Sequence, residues 1–125
     1  MVAKPVNQLS EPQAAVIASG ASVSGDLNLG GRILVGIAMP AAWTAASITF
    51  EVSPDRGTTW LDMYDITETE MAISPVVDNY YAIDPLQFLG VNHLRIRSGT
   101  AATPVNQGAE RTVTLMLGEP AKGGS

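Results

Sequence analysis

The sequence predicts an all-β fold, an antiparallel β-sandwich or jelly roll with one short helical turn. Three observations predict it. Apolar residues recur with a period of two in several short segments, and no segment sustains a helical period. Gly, Pro, Asn, Asp and Ser punctuate the chain between those segments. Finally, Ser47 to Tyr64 reads as a hairpin. Ile48, Phe50 and Val52 alternate with polar neighbours, Pro54-Asp55-Arg56-Gly57 supplies a tight turn, and Trp60 to Tyr64 returns.

The elements follow in order. Residues 1–13 contain Pro5 and Pro12 and no period, which predicts an extended N-terminal arm in which Val2, Val6 and Leu9 are available for burial on a neighbour. Residues 14–117 form the sandwich domain. Ala14 to Ala18 is a short apolar run ended by Ser19-Gly20, and Leu27 and Leu29 share a face between turn residues. Arg32 to Met39 is apolar on both faces, with Ile33, Val35, Ile37 and Met39 on one and Leu34, Gly36 and Ala38 on the other. Gly36 there marks a bulge or a close approach of another backbone. Pro40 ends this strand, and Trp43 in the following loop reads as a lid on the core.

After the hairpin, Thr67 to Ile73 and Tyr80 to Ile83 are further strand candidates. Asp84-Pro85-Leu86-Gln87-Phe88-Leu89-Gly90 places a capping Asp, a first-position Pro and a terminal Gly around one helical turn. Asn92 to Ser98 alternates, with Leu94 and Ile96 inward and His93, Arg95 and Arg97 outward. Arg111 to Leu117 closes the domain with Val113, Leu115 and Leu117 on one face, and residues 118–125 read as a flexible C-terminal tail.

Composition narrows the function. With 125 residues, 46% hydrophobic and 15% charged, the chain is long enough for one domain with a core. A net charge of −5 gives no footprint for phosphate, so nucleic acid is not an expected partner. Zero cysteines exclude disulfides, thiolate catalysis and Cys-based zinc sites, and no apolar run reaches the length of a membrane span. The N-terminus lacks a signal-peptide pattern, so synthesis in the cytoplasm is expected.

No catalytic, cofactor-binding or metal-binding residues are expected. His93 is the only histidine and no Gly-x-Ser-x-Gly elbow accompanies it. Asp62 and Asp65 point to opposite faces of a strand, and Glu68 and Glu70 on one face read as a solvated edge. Arg95 and Arg97 form a positive ridge, paired across strands with Glu51 or Glu110 or else offered to an acidic partner surface. The loop Gly99 to Gly108 adds Thr100, Thr103 and Asn106 as partner-contact candidates.

Two resemblances add to this. Ser53-Pro-Asp55-Arg-Gly57-Thr-Thr59-Trp60 resembles the Asp-box hairpin, which implies a structural turn held by Asp55, Gly57 and Trp60. The segments Ser47 to Trp60, Tyr81 to Gly90, Leu94 to Gln107 and Arg111 to Leu115 resemble small proteins encoded in tailed-phage structural regions. That resemblance implies a virion component with a jelly-roll fold, most plausibly a head decoration (cement) protein, and brings no catalytic residues. The expectation is a non-enzymatic protein, without cofactors, that binds the major capsid protein or another virion protein and forms a dimer or trimer. A tail or fibre accessory, or a carbohydrate-binding module, is the alternative. Exposed aromatics, Trp43 above all, would mark the carbohydrate case.

Overall fold

The computed structural model describes residues 10–119. Nine strands and one 3-10 turn follow in order: β1 Ser10–Ile17, β2 Leu27–Asn28, β3 Ile33–Ala38, β4 Ile48–Ser53, β5 Leu61–Asp62, β6 Ala72–Ile73, β7 Tyr80–Ala82, the 3-10 turn Pro85–Phe88, β8 His93–Ser98 and β9 Arg111–Gly118. They build two antiparallel sheets. The first has the order β1-β9-β3-β7; the second has the order β2-β8-β4-β5, with β6 also on β4. First pairs with last, second with eighth, third with seventh, and fourth with fifth and sixth. A long antiparallel ribbon folded over on itself makes this nesting, which is the jelly-roll topology.

The alternating strands bury the faces their sequences dictate. Leu94 and Ile96 of β8, Ile48 and Phe50 of β4, and Val113, Leu115 and Leu117 of β9 meet between the sheets with Ala15, Ile17, Leu34 and Ile37. Phe88, delivered by the 3-10 turn, closes the core edge-on against Phe50, with ring centroids 5.3 Å apart at 80°. The turn is capped as its sequence predicts: the Asp84 carboxylate accepts from the Leu86 amide at 3.0 Å, and Pro85 opens it.

Several boundaries depart from the sequence reading, each for a physical reason. β1 begins at Ser10, four residues earlier than the run Ala14 to Ala18 predicts, so the last residues of the expected arm are strand. Pro12 is tolerated because β1 is an edge strand, where its missing N–H deprives no neighbour. In β3 the register shifts between Leu34 and Gly36. This bulge turns Leu34 and Ile37 inward together and sends Val35 to the outer face, where it lies against Gly118. Gly36 therefore marks a bulge, and the close approach there is a side chain: a Cβ on Gly36 would sit 1.7 Å from the Tyr80 hydroxyl.

The predicted strand Thr67 to Ile73 shrinks to Ala72–Ile73. Ahead of it, Asp65 Oδ1 accepts from the Thr67 amide (2.8 Å), the Thr67 hydroxyl (2.6 Å) and the Thr69 amide (3.0 Å). Those bonds wrap the chain into a turn instead of extending it. The expected tail begins one residue later than read, because Gly118 ends β9; residues 120–125 lie outside the described residues. Among the described residues no helix is long and apolar enough to cross a membrane.

Candidate interaction surfaces

The turn after β4 is held by two side chains. Ser53 Oγ accepts from the amides of Gly57 (2.6 Å) and Asp55 (3.3 Å), and donates to Asp55 Oδ1 (2.9 Å). Asp55 Oδ1 also accepts from the Thr59 amide at 2.7 Å. These bonds favour the charged carboxylate and hold its pKa below the ordinary Asp value, the Thr59 amide contributing most. Arg56 and Gly57 take positive φ, 60° and 93°. A Cβ on Gly57 would lie 2.9 Å from Asp26 Oδ2, so both conformation and space require glycine there. Trp60 is half-buried and the Arg95 guanidinium stacks 4.1 Å above its ring. Ser53 and Asp55 thus hold the turn, Gly57 supplies its positive φ, and Trp60 lies beside it under Arg95.

The outer face of the second sheet is an ion-pair network. Thr49 lies opposite Arg97 and Glu51 opposite Arg95 across β4 and β8, while Glu51 faces Asp62 across β4 and β5. Arg97 is only 4% exposed. Its Nε donates to Thr49 Oγ1 (2.9 Å), its Nη1 to Asp62 (2.8 Å) and Glu51 (3.3 Å), and its Nη2 to Glu70 (2.8 Å). Arg95 donates to Glu51 at 2.7 Å. The expected exposed ridge is therefore corrected. Arg97 points away from the core, as alternation requires, but the β5–β6 hairpin carries Asp62 and Glu70 over it. The pairing partner is Glu51; Glu110 is exposed. Asp62 and Glu70 converge on the one Arg97 guanidinium, so neither stands as a free acid. His93 shares the rim of this sheet with Asp26, its Nδ1 lying 3.2 Å from Asp26 Oδ1.

The partner-contact candidates separate. Val2, Val6 and Leu9 lie outside the described residues. Thr100 folds back on its own loop, its Oγ1 accepting from the Thr103 amide at 3.0 Å, whereas Thr103 and Asn106 are exposed. Gln107, which nothing in the sequence singles out, is fully buried at the base of this loop. It accepts from the Thr44 amide (2.8 Å) and donates to Thr44 O (3.0 Å) and Ser98 Oγ (2.7 Å). The loop joins the sandwich near Ile17 and Arg111, whereas residues 1–9 join it at Ser10, opposite Gly118. These are opposite ends of β1, roughly 25 Å apart at the rise of a strand.

Where the β5–β6 hairpin meets the 3-10 turn the surface is largely apolar. Ile66 is 99% exposed at the tip of the β5–β6 hairpin, Leu86 is 71% exposed on the 3-10 turn, and Tyr64 is 55% exposed. Together with Met63 and Met71 they line an open groove, whose polar members are Asp65, Asp84 and Gln87. Leu86 also borders a second apolar groove, shared with Leu89, Ile33, Val35 and Gly118 on the outer side of the first sheet. By contrast, the two tryptophans are occupied. Trp43 packs half-buried against the core and donates its indole N–H to Ala46 O at 3.1 Å, as a lid does, and Trp60 is covered by Arg95. Neither offers the bare stacking face a sugar platform needs.

Fold and surface together define a jelly-roll domain whose second sheet pairs its charges among themselves and whose most exposed apolar side chains, Ile66 and Leu86, border one groove. No protein-family model matches the chain, and no curated protein is similar to it. Among solved structures, the chain is similar to the SPBc2 prophage-derived protein YomS. That likeness has a TM-score of 0.48 and 15% identity, over 91% of this chain and 98% of that one. A likeness of this extent defines neither a family nor a function.

Proposed function

We propose that this chain is a non-enzymatic structural protein of a tailed-phage virion, a decoration (cement) protein that binds the major capsid shell and stabilises it. The resemblance of Ser47–Trp60, Tyr81–Gly90 and Leu94–Gln107 to small phage structural proteins supports the reading. The jelly-roll topology agrees with the fold that resemblance implies. The observation that carries the proposal is the exposed apolar groove of Tyr64, Ile66 and Leu86. Contiguous exposed apolar side chains of this size mark contact surfaces on soluble domains.

In this account the groove and residues 1–9 both bury apolar surface across junctions between shell subunits. Val2, Val6 and Leu9 supply the arm's share. Each contact is modest, and the repeated lattice multiplies it through effective concentration. Thr103 and Asn106 lie outside the groove and face away from the shell in this account. Arg95 and Arg97 stabilise the domain and do not contact the partner.

Particles assembled with and without the protein test the proposal. Complete particles should survive heat and osmotic shock that burst the deficient ones. A variant lacking residues 1–9, which leaves β1 whole, should fold normally yet bind particles more weakly. Equal survival of both particle types would remove the cement role, and unchanged occupancy of the truncated variant would remove the arm.

A further inference from the structure

Among the described residues, the strand-paired positions on the outer face of the first sheet carry no charge; Asp78, bonded to Pro40 past the end of β7, and Glu119, beside Gly118, stand at its margins. The register aligns Pro12, Met116, Gly36 and Ala82 in one row and Ala14, Thr114, Ala38 and Tyr80 in the next. Val16 and Thr112 form a third, and Val35 stands over Gly118 beyond the first. The face is flat because Gly36 lets Tyr80 lie down across β3. Val16 and Tyr80 are 40% and 56% exposed. The outer face of the second sheet, by contrast, carries Glu51, Asp62, Glu70, Arg95 and Arg97.

We infer that this uncharged face is a self-association surface, on which a second copy of the chain packs sheet to sheet in an isologous dimer. Charge selects the occupant. A chain of net charge −5 repels its own copies wherever carboxylates meet. The paired rows of this face let two copies touch with their carboxylates, Asp78 and Glu119, kept to the margins. Those rows also offer no ion to a charged partner, so shape and apolar area must supply the attraction. Thr, Ala and Gly keep its relief low, as stacking of two sheets about 10 Å apart requires. Tyr80 and Met116 are residue types that interfaces favour.

Size agrees. Four strands about 4.8 Å apart and roughly six residues long span about 20 Å by 20 Å. With side-chain relief and the flanking Leu89, two copies bury on the order of 1,200 Å2, the lower limit of standard interfaces. The dimer is accordingly expected to dissociate in the micromolar range, on the order of 1–100 μM. Leu86 borders both surfaces, but Thr114 does not line the groove of Tyr64, Ile66 and Leu86, so substitutions there test the inference apart from the shell-binding proposal.

Sedimentation equilibrium of the purified full chain tests it, with no virion component present. The wild type should shift from the 13.1 kDa monomer to twice that mass as concentration rises through the micromolar range. Thr114→Glu and Thr114→Lys should each remain monomeric with unchanged circular dichroism and melting. Mixed together they should form the heterodimer, because Thr114 lies in the central row and meets the same region of its partner. Asn28→Glu, on the exposed outer side of the second sheet, should dimerise as the wild type does. A wild type monomeric to about 1 mM, a closed trimer, or a Thr114→Glu variant that dimerises normally would each overturn the inference.

Discussion

Replacing Arg97 by Met tests whether the network on the second sheet is structural. The substitution keeps the length and apolar stem of the side chain and removes its charge and donors. Glu51, Asp62, Glu70 and the Thr49 hydroxyl then lose a shared partner. Removing one member of a buried pair costs about 3–5 kcal/mol because the remaining charge stays desolvated. Three features place this case at the low end. Glu51 keeps Arg95 at 2.7 Å, Glu70 keeps the Ala101 amide at 2.9 Å, and the Asp62 side chain is 40% exposed and can rehydrate. The expected loss is about 3 kcal/mol, a fall of roughly 10 °C in Tm for a domain of this size. Urea denaturation followed by circular dichroism, with Trp60 fluorescence as a local probe beside Arg95, measures both. Adding Glu70→Gln to Arg97→Met should cost less than the two single losses summed, since the pair no longer has a partner to lose. A loss below about 1 kcal/mol, the range of exposed ion pairs, would refute the reasoning.

Two further outcomes follow from the turns. Asp55 and Asp65 are held below the ordinary value of 3.8 in the folded chain, Asp55 chiefly by the Thr59 amide and Asp65 chiefly by the Thr67 hydroxyl. A depressed folded pKa stabilises the fold above the unfolded value, and that contribution vanishes as pH falls through the folded one. Melting curves from about pH 6 down to pH 2 should therefore show Asp55→Ala and Asp65→Ala converging on the wild type at the acid end; a constant gap would contradict the assignment. Gly99→Ala should destabilise far more than Gly90→Ala. Both sites have positive φ, 92° and 81°, but a Cβ on Gly99 would meet Thr103 O at 2.4 Å and Val105 N at 2.6 Å, whereas Gly90 faces open space. The φ penalty alone is about 1–3 kcal/mol, so Gly90→Ala should stay within it and Gly99→Ala should exceed it in chemical denaturation. Equal losses would show that the loop yields.

The fold was legible where one face is buried and the other is not. Leu94 and Ile96, or Val113, Leu115 and Leu117, each have polar neighbours, so period two assigns their faces. Asp84-Pro85 and Ser53 to Thr59 were legible because their bonds are local, spanning two to four residues. In β3 Gly36 announced a bulge or close approach, but a continuous apolar run reads alike from both faces, so it could not show that Leu34 and Ile37 turn inward together. Pro12 concealed the start of β1, since the same residue suits an arm or an edge strand. On the candidate surfaces, alternation correctly placed Arg97 away from the core but could not foresee its burial. Glu70 lies 27 residues and Asp62 35 residues before it, and only the folded hairpin brings them together. Gln107 was hidden for the same reason, its partner Thr44 being 63 residues away.

The central claim is that this domain docks on a virion shell by the groove of Tyr64, Ile66 and Leu86. Electron cryomicroscopy of particles assembled with and without the chain tests it most directly. The account predicts a jelly-roll density present only in the complete particles, seated over junctions between shell subunits. Tyr64, Ile66, Leu86 and the segment entering at Ser10 should face the shell, with Thr103 and Asn106 pointing outward. Identical head densities in both preparations, or the domain attached by its Thr103 end, would contradict it.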